Sequence, residues 1–462
     1  MAYAQKVFKV RNGRTTKQFT WRCRYKLPDG TWGSEPGFPT KTAAESWGSK
    51  QEAAIEAGAW VDPNLRNTQF GAFARKFMAS RKKRGRTVGT RWDKLEKHIL
   101  PRWDHVPLGG VTWFDVDSWQ QGMDIDDVSR GHCVSLMSTI MTAAVDAKHI
   151  TVNPLYARRR TRDTSGDAAK PKAPKVTRDP RPEDAILVAE RLGPARGIHV
   201  LTTAFTGLRW GEGLGLHRNN TLLERREPWG AGEFVCPILR VAEEYAEYQE
   251  RDADGTKKGY VLRLEPTKND GSTRDTDVPP FLALLLRYHL DDWQYERPFS
   301  TPSGKPWRRG NWSREFRPAC DGRDERKRRR GVSHREAWDP ILPGLDMKAL
   351  RALHDTLQSQ LGVKEPLAFE AAGHRRPGIK RYYQKPTPEM RAERLAGLED
   401  AFRAAMANLG LETMWGRVDL VKSPHEDHRP NIAQMISMED HRRARQVPNA
   451  RSRYLQRTRV GG

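Results

Sequence analysis

The stretch from Arg158 to about Pro182 cannot be part of a core. It contains Arg158-Arg159-Arg160, the run Lys170-Pro171-Lys172-Ala173-Pro174-Lys175, and Asp179-Pro180. Charged, proline-rich chain of this kind stays extended. It divides 462 residues, already too many for one ordinary core, into parts that must fold separately, about two to four domains in all. Such a segment can join two lobes that close around a rod, and its cations favour a path along a polyanion.

Upstream of it two patterns follow one another. Phe19-Thr20-Trp21-Arg22-Cys23-Arg24-Tyr25, a turn at Pro28-Asp29-Gly30, and a run from Trp32 to Phe38 predict a small antiparallel sheet. Thr40 or Thr42 then caps a helix running through Trp47 and Ala53 to about Ala57. From Thr68 to about Ala157 the spacing turns helical, with Phe70, Phe73, Phe77, Trp92, Leu95 and Ile99 on one buried face and Asn153-Pro154 closing the run. Among them lie Arg75, Lys76, Arg81, Lys82, Lys83, Arg84 and Arg86, followed by Thr87 and Thr90, whose hydroxyls could cap a helix near phosphates. A solvated basic face is the alternative.

Downstream, Pro182 to about Met406 mixes helix and strand signals. Helices are predicted through Ile186-Leu187-Val188 and from Leu201 to Phe205. Strand-like runs occur at Phe234-Val235, Ile238-Leu239-Arg240-Val241 and Tyr260-Val261-Leu262-Arg263-Leu264, and helices return from about Phe281. The last stretch is basic and ends in Arg451-Ser452-Arg453-Tyr454-Leu455-Gln456-Arg457-Thr458-Arg459. The expected fold is multidomain and mainly α with small β-sheets.

Charge narrows the function. Lys and Arg number 81 against 58 Asp and Glu, a formal +23, which calls for a polyanionic partner, nucleic acid first. No run approaches the roughly 20 apolar residues of a membrane span, and the N-terminus lacks a secretory apolar region. The four cysteines, Cys23, Cys133, Cys236 and Cys320, lie far apart without CxxC spacing, so no zinc site or disulfide framework is expected and a reducing, cytoplasmic setting is.

Breaking a DNA phosphodiester without a metal requires cations for the developing charge, a nucleophile, and an acid for the leaving 5′-oxygen. Arginine suits the first role because its guanidinium is always charged and forks onto two phosphate oxygens. In Thr206-Gly207-Leu208-Arg209-Trp210-Gly211-Glu212, Arg209 follows a glycine turn and could project from a helix N-terminus. In Pro266-Thr267-Lys268-Asn269-Asp270-Gly271, Lys268 is expected near the turn of a hairpin. Met347-Lys348-Ala349-Leu350-Arg351-Ala352-Leu353-His354 spaces Lys348, Arg351 and His354 by three, on adjoining positions of one helical face. Ala372-Gly373-His374-Arg375-Arg376-Pro377-Gly378-Ile379-Lys380-Arg381-Tyr382-Tyr383 puts His374 on a glycine turn with two tyrosines beyond. Taken alone, Arg209 and Lys268 are ordinary surface groups and a lone His or Tyr is more often structural, while the Lys348, Arg351 and His354 spacing reads equally as coincidence.

Together, the order Gly-Leu-Arg-x-Gly-Glu, hairpin Lys, Lys/His-x-x-Arg, Gly-His, Tyr resembles the catalytic signature of the tyrosine recombinase (phage integrase) family. The resemblance implies that Arg209 and Arg351 clamp the scissile phosphate, that Lys268 protonates the leaving 5′-hydroxyl, and that Lys348 and His374 support phosphate and nucleophile. Tyr383 would attack to form a 3′-phosphotyrosine, a bond that conserves the phosphodiester energy without ATP, metal or other cofactor. Tyr382 is the alternative nucleophile; Tyr383 is preferred because the family spaces its tyrosine about nine positions past the Gly-His histidine, and because Gly-His-Arg-x-Pro-Gly and Tyr-x-x-x-Thr-Pro-x-Met resemble actinobacterial and phage integrases. Lys348 departs from the histidine of many members and is a poorer base at neutral pH. Ala352 stands where a histidine is frequent, leaving His354 as a nearby helper.

The resemblance divides the chain into an arm-type DNA-binding domain (1–63), a helical core-binding domain (64–157), a linker (158–181), a catalytic domain (182–406) and a basic C-terminal tail (407–462). Arg22, Arg24 and Lys26, on one strand face, and Arg81, Lys82, Lys83, Arg84 and Arg86 are the candidate DNA contacts. It further implies double-stranded attachment sites as substrate, a homotetramer on DNA, an accessory bending or directionality factor, and a bacterial cytoplasm as the setting, for integration or excision of a phage or other mobile element. Two rivals stand beside it: a type IB topoisomerase-like enzyme, and a catalytically degenerate DNA-binding regulator.

Overall fold

Alternation along one strand organises the N-terminal module. In the computed structural model β1 (Tyr3–Arg11), β2 (Arg14–Lys26) and β3 (Trp32–Phe38) form an antiparallel sheet in that order. Asp29 closes the second turn by accepting from the backbone and hydroxyl of Thr31. Thr40 caps α1 (Lys41–Glu56) through its hydroxyl, which accepts from Ala43 N. The helix covers one face of β2: Cys23 and Tyr25 are buried, and the Trp47 ring lies 5.3 Å from Tyr25 and 5.6 Å from Phe38. Gly48 permits the contact, since a Cβ there would stand 2.6 Å from Cys23 Sγ. Strand alternation therefore turns Arg22, Arg24 and Lys26 to the opposite face.

The structure describes residues 2–11, 14–58, 60–81, 85–157, 178–229, 232–267, 272–328, 330, 333–374, 376–379, 383–416 and 418–419. Lys82, Lys83, Arg84, Lys268, Tyr382, most of the expected linker and the chain beyond 419 lie outside these. Two compact units result, one of Met1–Gly166 with Tyr248–Tyr260, the other of Asp167–Glu247 with Val261–Gly462.

In the first unit, the sheet module is followed by α2 (Pro63–Arg66), α3 (Phe70–Ala79), α4 (Gly85–Lys94), a π-helical turn at Leu95–Ile99, α5 (Leu100–Trp103), α6 (Trp113–Gln121) and α7 (Asp127–Asp146). The spaced aromatics converge as the periodicity predicts: Phe70, Phe77, Trp92, Leu95 and Ile99 are buried in one core with Trp103, Met137 and Ile140. Burial of each such side chain is worth roughly 1.5–3 kcal/mol. Asn153 ends this segment by donating to Ser138 O and Thr142 Oγ1, both at 2.9 Å, while accepting from Leu155 N. Thr87 and Thr90 cap nothing; both fall inside α4, and Thr90 donates back to the Arg86 carbonyl.

The second unit packs α8 (Pro182–Leu192), α9 (Pro194–Thr206) and α10 (Trp210–Gly215) against α11 (Pro280–Asp292), α12 (Arg309–Asp321), α13 (Met347–Gln360), α14 (Glu365–Ala372) and α15 (Pro388–Asn408). Between α10 and α11 run β4 (Thr221–Leu222), β5 (Arg226–Trp229), β6 (Gly232–Val235), β7 (Ile238–Val241), β8 (Glu243–Arg251), β9 (Lys257–Pro266) and β10 (Arg274–Asp277). β10, β7 and β4 form one antiparallel sheet, while β5 pairs with β6 and β8 with β9. Residues 248–260 of the β8–β9 pair group with the first unit. The strands on either side of Lys268 do not pair as the expected hairpin, because β9 and β10 belong to different sheets. β11 (Thr413–Met414) and β12 (Val418–Asp419) follow α15. The tail expected from 407 is thus ordered at its start: Met414 is buried, and Trp415 donates from its backbone to Glu190 Oε1 and from its indole to Ala189 O.

α9 explains how the site is held. From Gly197 to Thr206 every residue is buried, and the helix ends on Gly207 in the left-handed conformation at φ 69°. A Cβ at Gly207 would also stand 2.6 Å from the ring of His354, so two independent constraints require glycine at this helix end. All four cysteines are buried free thiols, and no described helix is long and apolar enough to cross a membrane.

Candidate active site

Three guanidinium groups converge on one buried carboxylate. Glu212, 2% exposed, sits in the first turn of α10 and accepts from the backbone N–H of Arg209 at 2.9 Å, which fixes the start of that helix. Its two oxygens also take the Arg209 side chain at 2.6 Å and Nη1 and Nη2 of Arg274 at 3.2 and 3.0 Å. Arg351 Nη1 lies 3.9 Å away. Burial alone would raise the Glu212 carboxyl, but Arg274 and then Arg209 overcome that and hold it below the ordinary carboxylate range.

Arg351 reaches the cluster from α13 and is held by helix ends. Its guanidinium donates to Gly207 O at 2.7 Å, past the end of α9, and to Ala372 O at the end of α14. Arg274 Nε donates to Ala371 O, one residue earlier, at 3.0 Å. The last carbonyls of a helix lack intrahelical partners and carry the negative end of its dipole. Two helix C-termini thus position the arginines without using up their charge. Gly373, left-handed at φ 62°, turns the chain after α14, and a Cβ there would stand 2.7 Å from Arg274 Nη1.

His374 follows that turn, exposed, with Nε2 at 3.5 Å from Arg351 Nη2. Burial first, then the charges of Arg351 and Arg209, lower its pKa from the ordinary histidine value, so the ring is neutral at pH 7. Burial and then Arg209 push Arg351 down to about 10, which leaves it cationic at neutral pH. Arg209, Arg274 and Arg351 outnumber Glu212 and Asp355, the carboxylates that act on Arg351, which gives the site a positive surplus. Arg209 commits one terminal nitrogen to Glu212 and is about one-third exposed, so it can offer further donors to an anion.

The other expected residues are placed less centrally. Lys348 is exposed in the first turn of α13, a position where the helix dipole disfavours a cation unless an anion is present. Tyr383 is 79% exposed, and no hydrogen bond or ring contact joins it to the cluster among the described residues. Arg81 stacks over Phe77 at 4.6 Å, and Arg86 is exposed on α4.

His354 is not a helper at the surface. It is fully buried behind Gly207, and its Nε2 accepts from Arg394 at 3.1 Å. Burial, then Arg394 and Arg351, hold it well below the ordinary histidine value. Arg394 and Arg391, both on α15, share Asp277 of β10 at 3.1 and 2.7 Å, and Arg391 also reaches Glu370 on α14. This layer ties the helix that follows Tyr383 to the floor of the site. Sequence reasoning does not find Arg274, Asp277, Arg391 or Arg394 as site residues, because their partners lie 62 to 117 positions away and no local pattern marks them.

No family model matches the chain. It is 24% identical over 263 residues to the integrase of Mycobacterium phage D29, across 55% of this chain and 63% of that one. To the integrase of Mycobacterium phage FRAT1 it is 24% identical over 257 residues, across 54% and 68% respectively. The chain thus matches about two-thirds of the length of these relatives. Among solved structures, the integrase of the Tn1549 transposon in complex with a circular-intermediate DNA is similar in fold, with a TM-score of 0.50 at 16% identity over 74% of this chain and 99% of that one.

Proposed function

We infer that this chain, a member of the tyrosine recombinase (phage integrase) family, cuts and rejoins duplex DNA at specific sites through a 3′-phosphotyrosine. The observation that carries the reading is the meeting of Arg209, Arg351 and His374, from three distant segments, around a positively charged surface braced by Glu212. Such a surface suits a phosphate that gains charge at its transition state, because the guanidinium groups are already oriented and need no reorganisation. In this reading Arg209 and Arg351 bind the non-bridging oxygens, and neutral His374 stays close enough to hydrogen-bond the same phosphate. Tyr383 attacks phosphorus, its hydroxyl proton passing to solvent as the phosphotyrosine forms, and the 5′-oxygen departs with a proton from Lys268; Lys348 supports the phosphate from the edge.

The domain limits at 63, 157 and 181 remain part of the same proposal, with the 1–63 module placing Arg22, Arg24 and Lys26 against flanking DNA and Arg81 to Arg86 against the core site. Each subunit breaks one strand, so four subunits acting on two attachment sites in a bacterial cytoplasm complete the reaction, with accessory bending or directionality factors setting its course.

The test is a supercoiled plasmid carrying two candidate attachment sites. Recombinant product that requires both sites supports the reading. Relaxation that needs neither site indicates topoisomerase action instead, and binding without either product indicates a regulator.

A further inference from the structure

Between α12 and α13 the chain carries seven Arg or Lys against three acids from 323 to 336. The base of the segment is a paired stalk. Arg323 and Trp338 exchange backbone hydrogen bonds at 2.9 and 2.8 Å, and Arg326 and Arg335 do the same at 2.8 and 2.9 Å, making two rungs of an antiparallel ladder. Gly322, at φ 84°, starts the ladder where a Cβ would meet Trp338 O at 2.7 Å. The Arg323 guanidinium lies 3.2 Å from the centroid of the Trp338 ring, and Arg191 approaches the same ring at 5.6 Å while donating to Ala319 O and Asp339 O. Asp321 accepts from Gly344 N at 2.7 Å, which holds the far end of the segment to α12.

The cations this stalk presents are poorly compensated. Arg326, Lys327, Arg328 and Arg330 are exposed, and among the described residues no carboxylate lies within ion-pair distance of any of them. Glu325 of the same segment stands 3.9 Å from His334. Like charges gathered on an ordered ladder repel one another, and the arrangement contributes nothing to the core, since only Trp338 at its base packs there. Arg323 reflects the crowding: burial first, then Arg335, lower its pKa from the ordinary guanidinium value.

We propose that this basic ladder is a second phosphate-binding surface of the catalytic unit, which grips the backbone of duplex DNA outside the cleavage position and adds affinity without reading sequence. The proposal rests on the DNA-processing reading above. Repeating polyanionic phosphate is the partner that fits: guanidinium forks bind it in pairs, and exposed Lys and Arg of one sign release its condensed counterions. No group of the ladder takes part in bond breaking, so its removal should leave the chemical step alone.

The test titrates the full chain, wild type and Arg326→Gln/Lys327→Gln/Arg328→Gln, with a duplex holding a candidate attachment site and with an unrelated duplex, by fluorescence anisotropy over a range of salt. The triple variant is expected to weaken binding to both duplexes by the same factor. Its plot of log affinity against log salt should flatten by about 0.9 for each phosphate that is no longer neutralised, hence roughly 2–3 in all. At saturating protein, phosphotyrosine adduct formation should be unchanged. A charge-retaining Arg326→Lys/Arg328→Lys variant should keep the wild-type slope, which separates charge from folding. An unchanged slope in the triple variant overturns the proposal, as does weakened binding to the attachment-site duplex alone. If wild type forms no adduct yet the slope flattens as expected, the phosphate surface stands and the recombination reading falls.

Discussion

Removing the charge of Glu212 should damage the second unit more than any single change at its surface. Glu212→Gln keeps the shape but leaves Arg274, 3% exposed at its side chain, without a counter-ion. Breaking a buried ion pair by neutralising one partner costs about 3–5 kcal/mol, and in a unit of this size each kcal/mol shifts the midpoint by about 2–4 °C. The second unit should therefore melt roughly 6–20 °C lower. Arg274→Met alone strands the carboxylate only partly, because Arg209 remains 2.6 Å away, so its cost should be the smaller one. With both changes together the stranded charge is gone, and the double variant should be more stable than the sum of the singles by about 1–3 kcal/mol. Denaturant unfolding of the four proteins at pH 7 closes the cycle. Additivity within about 0.5 kcal/mol, or a Glu212→Gln loss no larger than that of an exposed residue, would refute the view that one carboxylate organises the three arginines.

Three other outcomes follow from the same geometry. Gly373→Ala forces a side chain into a left-handed position at φ 62° and against Arg274, so it should cost at least about 1–2 kcal/mol and slow adduct formation, as read by thermal melting and gel assay on one preparation. Arg351→Lys keeps a positive charge but cannot bridge the Gly207 and Ala372 carbonyls while also forking onto phosphate; adduct formation should fall about 100-fold or more while affinity for the duplex changes far less. His199 is buried in a stack between Phe299 and Trp210 at 4.7 and 5.2 Å, where burial lowers its pKa to about 3. The unfolded chain therefore binds a proton that the folded one refuses between about pH 6.5 and 3, so stability falls with acid across that window at up to about 1.4 kcal/mol per pH unit. His199→Phe should reduce that slope by one proton's worth in pH-dependent unfolding curves, and an unchanged slope would place the acid sensitivity elsewhere.

How far the sequence can be read depends on whether a residue's role is local. Phe70, Phe77, Trp92, Leu95 and Ile99 announce their helices because large apolar side chains at helical spacing have one way to be buried. The turn at Asp29 and the cap at Thr40 are legible for the same reason, since each side chain bonds within three residues of itself. β8 does not read as a strand, because Glu243-Glu244-Tyr245-Ala246-Glu247 offers few of the apolar residues that mark one, although Ala246 and Tyr248 do alternate inward. Neighbouring strand signals put Lys268 on a hairpin, but pairing partners are a tertiary choice, and β10 takes β7. In the site, motif order finds Arg209, Arg351 and His374, and the structure brings those three together. Arg274 is silent in sequence because its importance lies in a carboxylate 62 positions earlier. His354 misleads for a geometric reason: six residues from Lys348 is about 120° around a helix, not the same face, so the lysine faces out while the histidine is buried.

If the arginine cluster serves a tyrosine nucleophile, a suicide substrate will trap the covalent bond. A duplex nicked near the cleavage position of a candidate attachment site traps the covalent intermediate, and denaturing gels compare wild type with Tyr383→Phe and Tyr382→Phe. An adduct is expected with wild type and Tyr382→Phe, and none with Tyr383→Phe. Disappearance only in Tyr382→Phe would move the nucleophile by one residue, and a wild-type protein that binds this DNA without ever forming an adduct would contradict the claim.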